Sequence, residues 1–161
     1  MSGPAQSEGG PVRPVTALVF ATAAFVALLI FGLGMTSLAI GEDVVATPGL
    51  GQTPGIVATT VATLAFAAGL WTSVRRSPAS YWGSAWTTAA TYLGYVGGLW
   101  FGAVVTGADV AVAGAIAGRI ATTWFGLVVA AAAFVCSWSG IALVRTRASR
   151  PRWPWEDEFD E

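Results

Sequence analysis

The chain has 161 residues, 55% of them hydrophobic and only 11% charged, with a formal charge of −1. A soluble domain carries about 25% charged residues, so this composition argues against a water-soluble globule, and the surplus apolar surface is expected to face lipid. There is no His, and Cys136 is the single cysteine; haem, zinc and iron–sulfur centres lack their usual ligands, an intramolecular disulfide is excluded, and no cofactor is expected.

Residues 1–13 form a polar leader with Gly, Pro, Glu8 and Arg13 and no hydrophobic pattern, read as a disordered cytoplasmic N-terminus. The apolar run that follows is too long for a signal-peptide core of about 7–15 residues, so no cleavable signal is expected. A bilayer core about 30 Å thick needs about 20 helical residues. Four stretches satisfy this: about 15–40, 56–74, 81–105 and 120–144. Pro14 sits where a first-turn proline is tolerated, because its missing N–H would be unpaired in any case. Arg75 and Arg76 end the second run, and Ser77-Pro78 separates it from the third.

Helices buried in a soluble bundle would show a charged face with helical period, and barrel strands would be shorter and alternate. Neither pattern is present. The expectation is an all-α integral membrane protein: a four-transmembrane-helix bundle over 14–145, built of two antiparallel hairpins. Seven arginines (Arg13, Arg75, Arg76, Arg145, Arg147, Arg150 and Arg152) fall on one side of this topology and Arg119 on the other. The positive-inside rule then places both termini in the cytoplasm, with 41–55 and 106–119 as external loops. An all-Arg cation set with heavy use of Ala, Gly and Val suggests a bacterial source, hence a multi-pass protein of a bacterial plasma membrane.

A weak echo links the two halves. Gly41-Glu42-Asp43-Val44 is answered by Gly107-Ala108-Asp109-Val110, and Ala58-Thr59-Thr60 by Ala121-Thr122-Thr123. It would make a parallel tandem repeat in which each A-T-T opens a helix; coincidence in an Ala-, Gly- and Val-rich chain is the alternative.

The sharpest local pattern lies in the third run. Ala90, Gly94, Gly98 and Gly102 recur every four residues and form one groove on a helix. Such a groove lets another backbone approach closely, either within this bundle or between chains. Ala132, Cys136 and Gly140 form a looser row in the fourth run, which is the expected mate of the third; Cys136 is then a packing residue. Intramembrane Thr and Ser hydroxyls are expected to bond the carbonyl one turn back.

No Asp, Glu, Lys, Arg or His lies inside any span. Ion-coupled transport and proton relays use such groups at membrane depth, and no nucleophilic triad, paired carboxylates or phosphate loop appears. The chain is expected not to be an enzyme and to bind no nucleic acid. Glu42, Asp43 and Asp109 gather on the external side, where solvated loops are a simpler reading than a cation site.

Residues 146–161 form a cytoplasmic tail, first basic and then aromatic and acidic, with Trp153, Trp155 and Phe159 as anchors for a partner or for the headgroup layer. Two functional readings follow. One is a non-catalytic accessory or assembly subunit of a larger membrane protein complex, with other subunits or further copies of itself as partners beside the lipid bilayer. The other is a small oligomeric channel or permease for neutral or hydrophobic substrates.

Overall fold

In a computed structural model, residues 13–44, 49–75 and 80–145 are described. Among them the chain is entirely helical, with five helices: α1 Pro14–Ile40, α2 Thr53–Val74, α3 Trp82–Val105, α4 Val110–Thr122 and α5 Trp124–Arg145. Four of these, α1, α2, α3 and α5, are long and apolar enough to cross a membrane. Prolines stand in the first turns of α1 and α2, where they cost no helical hydrogen bond. Gly41 ends α1 in the left-handed conformation at φ 66°, a region that side chains with a Cβ avoid.

α4 is a departure from expectation. Within the segment 106–119, expected as a loop, residues from Val110 on are helical, and the fourth long helix starts at Trp124 rather than at 120. Asp109 caps α4 by accepting a 2.9 Å bond from the Ala111 N–H. Ala113, Ile116, Ala117 and Ile120 supply its buried stripe. Arg119 lies in its last turn, where a cation suits the helix dipole. Thr123 then breaks the helix with an extended backbone at φ −109° and ψ 176°. The two A-T-T segments therefore differ. Ala58-Thr59-Thr60 is interior to α2, while Ala121-Thr122-Thr123 marks the α4–α5 break.

α2 and α3 form the closest pair, and they run antiparallel. A methyl group at Gly102 would lie 2.9 Å from the Pro54 Cα, and one at Gly98 would lie 2.9 Å from the Ala58 Cα. At Gly94 it would meet the Ala65 Cβ at 3.2 Å, and Gly69, on α2, faces the Thr87 Cα at 3.2 Å. Gly83 faces Ser73 at the far end of the seam. The groove of the third run thus takes α2, and the expected mate, the small face of α5, does something else. Gly140 lies against Ala21 of α1 and Leu70 of α2, and Ala132, Ala133, Cys136 and Ser137 are buried beside it. The reason is local. Pro54, Ala58 and Ala62 also recur every four residues, and the antiparallel pairing of α2 and α3 lays that flat face directly on the glycines.

The remaining core is large side chains. Phe25 of α1 and Phe66 of α2 stack with centroids 4.5 Å apart and planes within 7°. Leu29, Leu70, Tyr95, Leu99, Phe125 and Val129 are fully buried with them. The outer face is also apolar: Phe20, Phe31, Leu38, Trp82 and Trp86 are all exposed, Leu38 at 81% and Trp82 at 83%. Contiguous apolar exposure on this scale is not tolerated by soluble monomers and is the ordinary state of a lipid-facing surface. Hydroxyls are mostly satisfied within their own helices: Thr36 donates to the Gly32 carbonyl, Thr63 to Thr59 and Thr91 to Thr87.

The seam makes a sharp prediction. Gly98→Ala must push backbone from backbone, and Gly98→Leu more so, at an expected cost of about 1–3 kcal/mol from overpacking. The neighbouring Gly97 has nothing within 4 Å of its would-be methyl, so Gly97→Ala should leave stability unchanged. Thermal unfolding in detergent checks this, with oligomer mass expected to be unaltered. Equal behaviour of the two alanine variants would contradict the seam.

Candidate functional site

The end of the bundle that carries Glu42 holds the polar machinery. After Gly41 turns the chain, the Ser37 hydroxyl donates to the Glu42 carbonyl at 2.7 Å and fixes the turn. Arg119 of α4 then reaches across. Its guanidinium donates to the Glu42 carboxylate at 2.9 Å and to the Asp43 carbonyl at 3.2 Å. This ties the α1–α2 connection to α4. The pair is partly solvated, with side-chain exposures of 34% and 59%, so its contribution to stability is modest. Asp109 serves as the cap of α4. The three acids that the sequence gathers on this side thus have separate settings, and among the described residues no group of three His, Cys, Asp or Glu is placed to hold a metal ion.

α4 is also held from below. The Tyr92 hydroxyl, well inside α3, donates to the Ala121 carbonyl at 2.7 Å. A carbonyl at a helix end has no partner within its own helix, and burying it unpaired would be costly. Tyr92 removes that cost and pins the α4–α5 break.

Beside this assembly α1 and α2 separate and leave a cleft of about 800 Å³. Its mouth is polar, with Ser37, Asp43 and Gln52. Its walls deeper along the helices are Ile30, Leu33, Ile56, Thr59 and Thr60, with the buried Tyr95 among them. Gly34 and Gly55 line it without side chains, and a methyl group at either would meet nothing within 4 Å. No cationic side chain lines it.

The residues singled out from the sequence divide into three sets. Gly94, Gly98 and Gly102 come together on α2, and Ala90, further along the same helix, is half-buried. Trp153, Trp155 and Phe159 lie outside the described residues, as does the rest of the tail from 146. At the Arg75 end, the Arg75 guanidinium sits 5.1 Å from the centre of the Trp71 ring, and Tyr81 stacks on Trp138 at 6.2 Å. Sequence reasoning missed the cleft and the Tyr92–Ala121 bond. The cleft needs the divergence of two helices, which no local pattern encodes. The α4 stripe did have a signal, an Asp cap followed by apolar residues at helical spacing.

Residues 14–161 match the model of DUF6121, a family of unknown function, and the chain belongs to that family. No curated protein and no solved structure matches it.

The Arg119 contact yields a bounded prediction. A double-mutant cycle with Glu42→Gln and Arg119→Gln should give a coupling of about 0.2–1 kcal/mol that shrinks as salt rises, as for exposed pairs. A coupling well above this, insensitive to salt, would show that the pair is shielded from solvent.

Proposed function

We propose that this protein is a non-catalytic accessory or assembly subunit of a larger bacterial membrane protein complex. The observation that carries this reading is the filled interior. Phe25, Phe66, Tyr95, Leu99, Phe125 and Val129 are all buried in one core, and no charged residue is among the buried ones described. Such a chain offers neither a proton-handling group nor an aqueous path through itself. Its surfaces are then its means of acting. Purification in mild detergent should recover stoichiometric partners. Replacing Trp153 and Trp155 by Ala should reduce that recovery without loss of membrane insertion, because aromatic anchors dominate the energetics of short motifs. A chain that runs alone at monomer mass in several mild detergents would contradict the proposal.

In this reading α1, α2, α3 and α5 span the plasma membrane, and both termini are cytoplasmic. Arg13, at the start of α1, and Arg75, at the end of α2, stand at the same end of the bundle as the last residue of α5, Arg145. The opposite end has Arg119, paired with Glu42. That asymmetry supports the orientation. A reporter active only in the cytoplasm should function when fused after Glu161 and fail when inserted near Gly51. The reverse pattern would invert the topology.

A second reading, a small oligomeric channel or permease for neutral or hydrophobic substrates, is favoured by the hydroxyl-bearing cleft between α1 and α2. Flux through liposomes containing the purified protein separates it from the first. Permeability no greater than that of empty vesicles would eliminate it.

A further inference from the structure

We propose that the cleft between α1 and α2 binds one lipid molecule from the leaflet on the Glu42 side, and that it selects a head that donates hydrogen bonds, an ammonium in particular. The inference rests on α1 and α2 lying in a bilayer, and it is independent of whether the chain is an accessory subunit.

Three observations carry it. The first is dimension. From Ile30 to the end of α1 at Ile40 is about 15 Å of helix at 1.5 Å per residue, which is about half of a 30 Å hydrocarbon core. The cleft therefore has the depth of one leaflet, and its 800 Å³ lies within the range of ligand sites, about 300–1,000 Å³. The second is that small residues keep both walls open. Gly34 and Gly55 stand on its two walls, and side chains there would have room. The third is the polarity of the mouth. At the mouth Ser37 already donates its proton to the Glu42 carbonyl, and deeper along the wall Thr60 donates its own to the Ile56 carbonyl, so each hydroxyl is left as an acceptor. Asp43 is among the lining residues and brings an anion to the mouth, while Gln52 brings an amide that both donates and accepts. The nearest cation, Arg119, is directed to the Glu42 carboxylate and the Asp43 carbonyl. A mouth with surplus acceptors and an anion disfavours a head of net negative charge and favours an ammonium.

The test uses the full chain, delipidated in detergent and titrated with phosphatidylethanolamine or with phosphatidylglycerol of the same acyl chains. Native mass spectrometry counts the bound lipid. One phosphatidylethanolamine per chain should bind about tenfold more tightly than phosphatidylglycerol, a difference typical of one charge-assisted hydrogen bond. Gly34→Phe should fill the cleft and remove that single bound lipid while the lipid-free unfolding temperature stays at the unsubstituted value. Gly55→Leu should do the same from the opposite wall, and it serves if Gly34→Phe does not fold. Asp43→Asn should keep the binding but collapse the head preference. Phosphatidylethanolamine binding that survives both filled-cleft variants would overturn the site. Equal affinity for the two lipids in the unsubstituted chain would overturn the head selectivity.

Discussion

The close approach of α2 and α3 is the constraint on which the rest of the bundle depends. In lipid, apolar side chains gain nothing by leaving an apolar solvent, so helices associate through packing and through the small residues that permit it. Gly94, Gly98 and Gly102 on one helix and Pro54, Ala58 and Ala62 on the other give the two backbones nearly flat faces. Among the described helices no other pair is so extensively apposed. Once these two helices are joined, the broad side chains of both, Phe66 and Leu70 on α2 and Tyr95 and Leu99 on α3, are buried in the core shared with α1 and α5. The glycine seam therefore sets the direction of the large side chains that α2 and α3 bring to the core.

How much of this was legible follows from the same physics. Four apolar runs of bilayer length announce themselves, because nothing else in a chain of this size needs them. The glycine row was legible too, since its period of four is helical and glycine has no other reason to recur there. Its partner was not. Pro54, Ala58 and Ala62 carry an equal period, yet alanine is so frequent in this chain that the row does not stand out. α4 was hidden for a similar cause. Its stripe of Ala113, Ile116, Ala117 and Ile120 is half alanine, and the intervening Ala and Gly residues blur the contrast between its faces. The Asp109 cap is the readable part, but in sequence it stands equally well as one of a group of acids with Glu42 and Asp43. The Tyr92–Ala121 bond and the α1–α2 cleft depend on how whole helices lean, which local residue spacing does not specify.

Charge is handled with equal economy. α4 has Arg119 as its one charged residue, and it stands next to the end of α1, where Glu42 meets it. The turn that presents Glu42 is itself held by the Ser37 hydroxyl. Three modest contacts (Ser37 to Glu42, Glu42 to Arg119, Tyr92 to Ala121) thereby add to the buried stripe of α4 in fixing a helix too short to span. Individually each contributes little. Together they tie α4 to both α1 and α3.

The position of the cleft is a consequence of the seam rather than a separate feature. α2 has one flat face, and α3 occupies it. What α2 can offer α1 is the side that carries Phe66, and the Phe25–Phe66 stack joins the two helices in their half nearer Arg75. A pair of stacked rings holds helix axes further apart than glycine does. Beyond that stack the cleft opens between α1 and α2 toward the Glu42 end, where Gly34 and Gly55 bring no side chains to fill it. Closing the gap would need either bulk at those glycines or loss of the aromatic stack. The chain has neither, and the polar turn held by Arg119 then sits over the open end. The same choice of small and large residues that joins α2 to α3 leaves α1 parted from α2, and it places a polar-mouthed cleft at the Glu42 end of the bundle.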